Sequence, residues 1–161
     1  MTPQTSRDIG SRIAWKAILI GLIVGYLIFS IFFLLIGGGL KSFVVLFQVD
    51  YFPNILVGVL GLTLIGILCG RLAGYEILAK KKNETLVGIK YAFVTLITGT
   101  VIGCCVGFFQ EGIHNLNTDD NPFEDYFYKP IFWIVLFGLV PALFIGTWFG
   151  KQIKKKGLQT N

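Results

Sequence analysis

Residues 13–37 read IAWKAILIGLIVGYLIFSIFFLLIG, and this stretch decides the class of fold. Lys16 is its only charged side chain. A helix of about 20 apolar residues is long enough to cross the hydrocarbon core of a bilayer. The apolar residues are continuous and do not alternate with period two, as they would in a membrane barrel strand. The stretch therefore predicts a transmembrane helix.

Three further stretches have the same character: residues 53–75, 86–110 and 130–150. The 161-residue chain is 54% hydrophobic and 14% charged, with a mean hydropathy of +0.72, whereas soluble domains are about 25% charged. Residues 13–37 are too long for a cleaved signal peptide and lack a small-residue cleavage site, which favours a retained anchor. The sequence thus predicts an all-α polytopic membrane protein, with residues 1–161 forming one membrane domain of four transmembrane helices.

The positions of lysine and arginine predict the orientation of these spans. Basic residues cluster before span one, between spans two and three, and after span four, whereas the other two connections have only Lys41 and Lys129. The positive-inside rule then places both termini in the cytoplasm of a cell membrane, and the composition favours a bacterial inner membrane. The net charge of +5 is accounted for by these flanks, so we expect the lipid bilayer, and no nucleic acid, as their partner. The clusters are Arg7, Arg12 and Lys16; Arg71, Lys80, Lys81, Lys82 and Lys90; and Lys151, Lys154, Lys155 and Lys156.

The chain also carries signs of an internal duplication, with halves at about residues 13–82 and 86–156. Pro53 and Pro130 open spans two and four, and each of these spans ends in a glycine pair followed by three lysines. In spans one and three, Phe32-Phe33 matches Phe108-Phe109 and Lys16 matches Lys90. Each half would be a helical hairpin that enters and leaves on the same side. The pattern predicts two tandem hairpins in parallel orientation, related by a pseudo-two-fold axis along the membrane normal.

Glycines spaced by four residues occur in every span, and such pairs let membrane helices approach closely. We predict that they pack the helices against one another; contact with a partner or with a second copy is the alternative. The pairs are Gly21 and Gly25, Gly70 and Gly74, Gly99 and Gly103, and Gly146 and Gly150.

The sequence offers no catalytic, cofactor or metal site. No ionisable residue lies near the middle of a span, where ion paths and proton relays place them. Arg71 and Pro141 are the two positions that we single out for a role beyond packing: Arg71 lies within a glycine pair, and Pro141 should bend the fourth helix. His114 has no second metal ligand at helical spacing, and the acidic residues of the outer loop 111–129 lack the spacing of an EF-hand. Cys69, Cys104 and Cys105 lie in apolar runs and are interpreted as packing residues.

The connection at residues 40–52 is too apolar for a free loop and too short to cross the bilayer. We interpret it as an interfacial segment on the outer leaflet. A re-entrant piece buried in the bundle is the alternative.

The most economical function is a non-enzymatic one: an accessory, assembly or protective factor that binds another membrane protein. The alternative is a small transporter or channel built on the pseudo-two-fold axis. A third hypothesis is a lipid-handling protein that uses the lysines at 154–156.

Overall fold

The computed structural model describes residues 2–35, 52–112 and 121–160, and these residues are 95% helical with no strand. Four long helices follow one another: α1 (Pro3–Phe33), α2 (Phe52–Gly74), α3 (Glu84–Gly107) and α4 (Lys129–Thr160). Each is long and apolar enough to cross a membrane, which confirms the four helices expected from the sequence. Short π-helical segments extend α2 (Tyr75–Ala79) and α3 (Phe108–Gly112) and precede α4 (Glu124–Tyr128).

Two helices begin where side chains satisfy free backbone N–H groups. The Thr2 hydroxyl accepts a hydrogen bond from the N–H of Thr5 at 3.3 Å, and Pro3 occupies the first turn, where no intrahelical donor is lost. The Asn83 side chain accepts hydrogen bonds from the next residues of α3, the N–H groups of Thr85 and Leu86, at 3.0 and 3.1 Å. The Thr2 cap and Pro3 explain why α1 begins well before residue 13, the predicted start of span one. Hydropathy marks the part of a helix that suits lipid, whereas capping decides where the helix starts.

The helices pack in a ring, in which each contacts its neighbours in sequence and α4 returns to contact α1 less extensively. Consecutive helices are antiparallel, so the start of α1, the end of α4 and the connection at residues 80–83 lie at one end. We call this the basic end, because it holds all the lysines and arginines except Lys41 and Lys129. The opposite end is the acidic end. The connecting residues 36–51 and 113–120 lie outside the described residues, so the predictions for the loop at 40–52 and for His114 stay predictions.

The buried core lies at the basic end and takes residues from all four helices. It is built from small and branched side chains together with two aromatic rings. Its members are Ile13, Ala14, Cys69, Ala73, Ile77, Val87, Tyr91, Phe149 and Ile153. Along the length of the bundle, large apolar side chains point outwards on every helix, among them Leu27, Leu64, Ile97 and Phe144. Such a continuous apolar exterior is typical of a protein surrounded by lipid.

An aromatic cluster ties the end of α3 to the segment that precedes α4. The Phe108 ring lies 4.9 Å from the Phe123 ring and 5.4 Å from the Phe127 ring, measured between centroids. Aromatic pairs at these separations stabilise by about 0.5–1.5 kcal/mol each. The cluster therefore holds residues 122–128 against the acidic end of the bundle.

Lys81, in the connection between α2 and α3, has a φ of +52°, in the left-handed region that side chains disfavour. We expect Lys81→Gly to raise the free energy of unfolding by about 0.5–1 kcal/mol, because glycine adopts this conformation without steric cost. The neighbouring Lys80 has a φ of −89°, so Lys80→Gly should lower stability instead. Thermal unfolding of both variants in detergent micelles checks this, and a loss of stability in Lys81→Gly would contradict it.

Candidate functional site

The closest helix contact in the first hairpin is made by backbone. Gly10 of α1 lies directly against Gly70 and Gly74 of α2: a Cβ built on Gly10 would be 2.9 Å from the Gly74 Cα and would overlap the Gly70 carbonyl oxygen. A Cβ on Gly74 would in turn overlap the Ser6 carbonyl oxygen. Only glycine fits at these positions. We call this contact the first seam.

The second hairpin contains the same kind of contact. Gly88 of α3 lies against Gly146 and Gly150 of α4, and a Cβ on Gly88 would be 3.0 Å from the Gly150 Cα. A Cβ on Gly150 would overlap the Glu84 carbonyl oxygen. We call this contact the second seam. Gly10 and Gly88 are packing residues that the sequence analysis does not identify, because it considers glycine pairs within one helix and not the glycine that faces each pair.

The remaining predicted glycines pack less tightly. A Cβ on Gly99 would lie 2.8 Å from the Leu62 Cβ, and one on Gly58 would lie 3.5 Å from the Gly103 Cα, so both positions join α2 to α3. Gly21 faces the tip of Ile145 of α4 at 3.7 Å. Gly25 is exposed, and a Cβ there would meet nothing within 4 Å, so this glycine mediates no contact between the described helices. Towards this end α1 instead contacts α4 through the Phe32 and Phe137 rings, whose centroids are 4.7 Å apart.

A cleft of about 390 Å³ opens between α2, α3 and α4 in the half of the bundle nearer the acidic end. Its walls are almost entirely apolar, and four glycines of α2 and α3 bring backbone to its surface. Polar groups are few: Thr100 and Cys104 on the α3 wall, and Asp125 and Tyr126 in the π-helical segment before α4. The Thr100 hydroxyl donates to the carbonyl of Leu96 at 2.8 Å and is satisfied within its own helix. The cleft thus offers shape and apolar surface rather than reactive groups.

The two glutamates of the basic end carry structural ion pairs. Glu76 is the acceptor for three groups: the Lys82 ammonium at 3.1 Å, the Lys90 ammonium at 3.4 Å and the Tyr91 hydroxyl at 3.1 Å. Lys154 of α4 donates to Glu84 at the start of α3 at 2.9 Å. Both glutamates therefore join helix ends at this end of the bundle.

The two singled-out positions lie far apart. Arg71 is half-buried on α2 at the basic end, whereas Pro141 lies inside α4, which continues as one helix from Lys129 to Thr160. Pro141 lacks an N–H, so the carbonyl of Phe137 loses its usual intrahelical donor. Among the described residues no group of three His, Cys, Asp or Glu side chains could hold a metal ion. Cys69 is in the core at the basic end, Cys104 lines the cleft, and Cys105 is half-buried beside it.

Comparison of the chain with family models, with curated proteins and with solved structures gave no match.

A glycine in a seam and a glycine that faces open space should respond in opposite ways to replacement by alanine. We expect Gly74→Ala to lower the free energy of unfolding by about 1–3 kcal/mol, because its methyl group would overlap the Ser6 carbonyl oxygen and force α1 and α2 apart. Gly25→Ala is the matched control in α1: it meets open space and should be neutral or stabilising by up to about 1 kcal/mol, since alanine favours helix. Unfolding in mixed micelles compares the two, and equal losses of stability would show that the first seam has no special role.

Proposed function

We propose that this chain is a non-enzymatic integral membrane protein, an accessory, assembly or protective factor that binds another membrane protein. The observation that carries the proposal is the combination of a sealed basic end with an apolar cleft near the acidic end. The two seams and the core fill the basic end with glycine backbone, small and branched side chains and two aromatic rings. The cleft between α2, α3 and α4 is therefore a recess that a membrane partner could occupy.

The chemistry of the cleft favours an apolar occupant. A volume of about 390 Å³ lies within the range of about 300–1,000 Å³ for ligand pockets, and it suits a few large side chains rather than a whole helix. Within a bilayer, helices associate through close packing, because lipid offers no hydrophobic drive for them to leave it. A partner helix could insert side chains between α2 and α4 and reach the glycine backbone of α3. Such insertion would give affinity through van der Waals packing between surfaces of complementary shape.

The same proposal includes the orientation in the membrane. The basic end contains twelve lysines and arginines and three acidic residues, whereas residues 36–51 and 108–129 contain two basic and six acidic residues. This asymmetry supports cytoplasmic N- and C-termini and an external acidic end, in a bacterial inner membrane. The cleft would then open towards the outer leaflet, where a membrane partner could reach it.

We also propose that the two hairpins are tandem repeats in parallel orientation. The support is the equivalence of the seams: Gly10 corresponds to Gly88, and the pair Gly70 and Gly74 corresponds to Gly146 and Gly150. Ala14 and Ala92 make matching contacts with Gly70 and Gly146. This register aligns Lys90 with Arg12 rather than with Lys16, the match suggested by the sequence. The pseudo-two-fold axis would run between the seams.

A small transporter or channel is the second candidate function. It is favoured by the depth of the cleft, which reaches Thr100 and Cys104 in α3, and by Pro141, which leaves α4 with a weakened turn beside Phe137. In this case the structure would represent a state that is open towards the acidic end. Purified protein in liposomes should then move an ion or a neutral solute faster than empty vesicles do.

Photo-crosslinking from the cleft tests the binding proposal. Ile134 lines the cleft, whereas Leu136 is an exposed residue two positions along α4 that does not. A photoreactive amino acid at position 134 should yield one discrete protein adduct in native membranes, and the same group at position 136 should yield lipid adducts. Equal crosslinking from both positions would contradict a partner in the cleft.

A further inference from the structure

Arg7 and Arg71 lie on the same flank of the first seam, and neither has a counter-ion among the described residues. We call them the arginine pair. Arg7 of α1 stacks over the ring of Tyr75, with its guanidinium carbon 5.2 Å from the ring centroid. Arg71 lies four residues before Tyr75, one helical turn away and on the same face of α2. Gly10 packs onto Gly70 and Gly74, and the two helices are antiparallel. The residues that follow Ser6, Gly70 and Gly74 in sequence, which are Arg7, Arg71 and Tyr75, therefore lie on the same side of the seam.

Both arginines are partly removed from water but are not neutralised by the protein. The Arg7 Nε is fully buried and has no hydrogen-bond partner in the structure. Neither guanidinium makes a hydrogen bond or an ion pair within the described ranges, and both side chains are half-buried. A partly desolvated charge of this kind is costly unless an opposite charge is supplied. The Lys80 ammonium, 5.3 Å from the Tyr75 centroid, adds a third positive group to the same place.

The acidic residues of the basic end are engaged elsewhere. Glu76 accepts from Lys82, Lys90 and Tyr91, and Glu84 accepts from Lys154. Asp8 accepts a hydrogen bond from the Gln4 amide and makes no ion pair with Arg7 in the structure. Among the described residues, no acidic side chain of the basic end is therefore available to neutralise Arg7 or Arg71, which leaves the place of a counter-ion to an anion from outside the chain.

The position of the pair along the bundle indicates what that counter-ion is. Tyr75 and Trp15 lie at the level where apolar helix surface gives way to charged residues, which is where membrane proteins place tyrosine and tryptophan beside lipid headgroups. Guanidinium groups bind phosphate oxygens through two parallel hydrogen bonds, a geometry that lysine cannot provide. We propose that Arg7, Arg71 and Tyr75 form a binding site for the phosphate group of an anionic phospholipid.

The site belongs to the first hairpin only. At the positions of the second hairpin that match Arg7 and Arg71 in the seam register, the chain has Thr85 and Thr147. A lipid bound beside the first seam would therefore distinguish that face of the bundle from the otherwise similar face beside the second seam. This inference is independent of the partner proposed for the cleft, which lies near the opposite end of the bundle.

Lipid titration of the delipidated, full-length protein tests the site. Native mass spectrometry with phosphatidylglycerol should show that Arg7→Gln with Arg71→Gln weakens the first binding event at least about tenfold, because two charge-assisted contacts are lost. The matched control, Lys151→Gln with Lys155→Gln, removes the same charge from exposed positions of α4 and should weaken binding less than about twofold. Equal weakening in both variants would overturn the proposal in favour of diffuse attraction. Unchanged binding by the arginine variant would also overturn it.

Two further arms make the result decisive. Arg7→Lys with Arg71→Lys keeps both charges and should fold even if the glutamine variant does not; it should bind phosphatidylglycerol more weakly than the native chain, and native-like binding would contradict a bidentate phosphate site. Inorganic phosphate in large excess identifies the source of the ligand. If it displaces the lipid and raises the Tm of the native chain as the lipid does, the site takes free phosphate. If phosphatidylglycerol alone raises the Tm, the site takes the headgroup.

Discussion

Backbone contact between glycines at one end of the bundle is the constraint on which the rest of this structure depends. In each hairpin one glycine faces a pair spaced by four residues, and a methyl group at most of these positions would overlap a carbonyl oxygen or a Cα of the facing helix. Such contact brings the helix axes closer than side chains would allow, and it gives van der Waals packing where lipid provides no hydrophobic drive. Small residues such as Ala14 and Ala73 can then fill the core between the hairpins.

The two ends of the bundle differ as a consequence. Nearer the acidic end glycine faces a large side chain, as Gly61 faces Ile102 and Gly99 faces Leu62, and a cleft remains between α2, α3 and α4. At the basic end the close approach of α1 and α2 leaves the flanking arginines partly buried, while the nearby glutamates bind lysines. The glycine contacts thus account for the closely packed basic end and for the recess near the acidic end. They also account for the partly buried arginines, at which we propose that an anionic lipid binds.

The sequence predicted the helices well because the signal is simple: long apolar runs interrupted by charge-rich connections. The sequence predicted the helix lengths less well, since α1 and α4 extend beyond the apolar runs, to Pro3 and to Thr160. The glycine pairs at 70 and 74 and at 146 and 150 were identified by spacing, but Gly10 and Gly88 were missed because no local pattern reveals which residue a glycine pair will face. Gly25 shows the converse, for it has the right spacing and yet faces open space. The cleft and the arginine pair depend on how helices distant in sequence lie side by side, which spacing within one helix does not determine.

The most direct measurement of the central claim is a solid-state NMR correlation spectrum of the protein in lipid, with ¹³C only at glycine Cα positions. If each seam holds the two helices of its hairpin together, direct cross-peaks should join Gly10 to Gly74 and Gly88 to Gly150. Each of these pairs brings the backbones of two helices into contact. Glycines one turn apart within a helix, such as Gly70 and Gly74, provide the internal distance reference. Cross-peaks within a helix but none between helices would contradict the central role of the two seams. They would mean that side chains, and not glycine backbone, hold the two helices of each hairpin together.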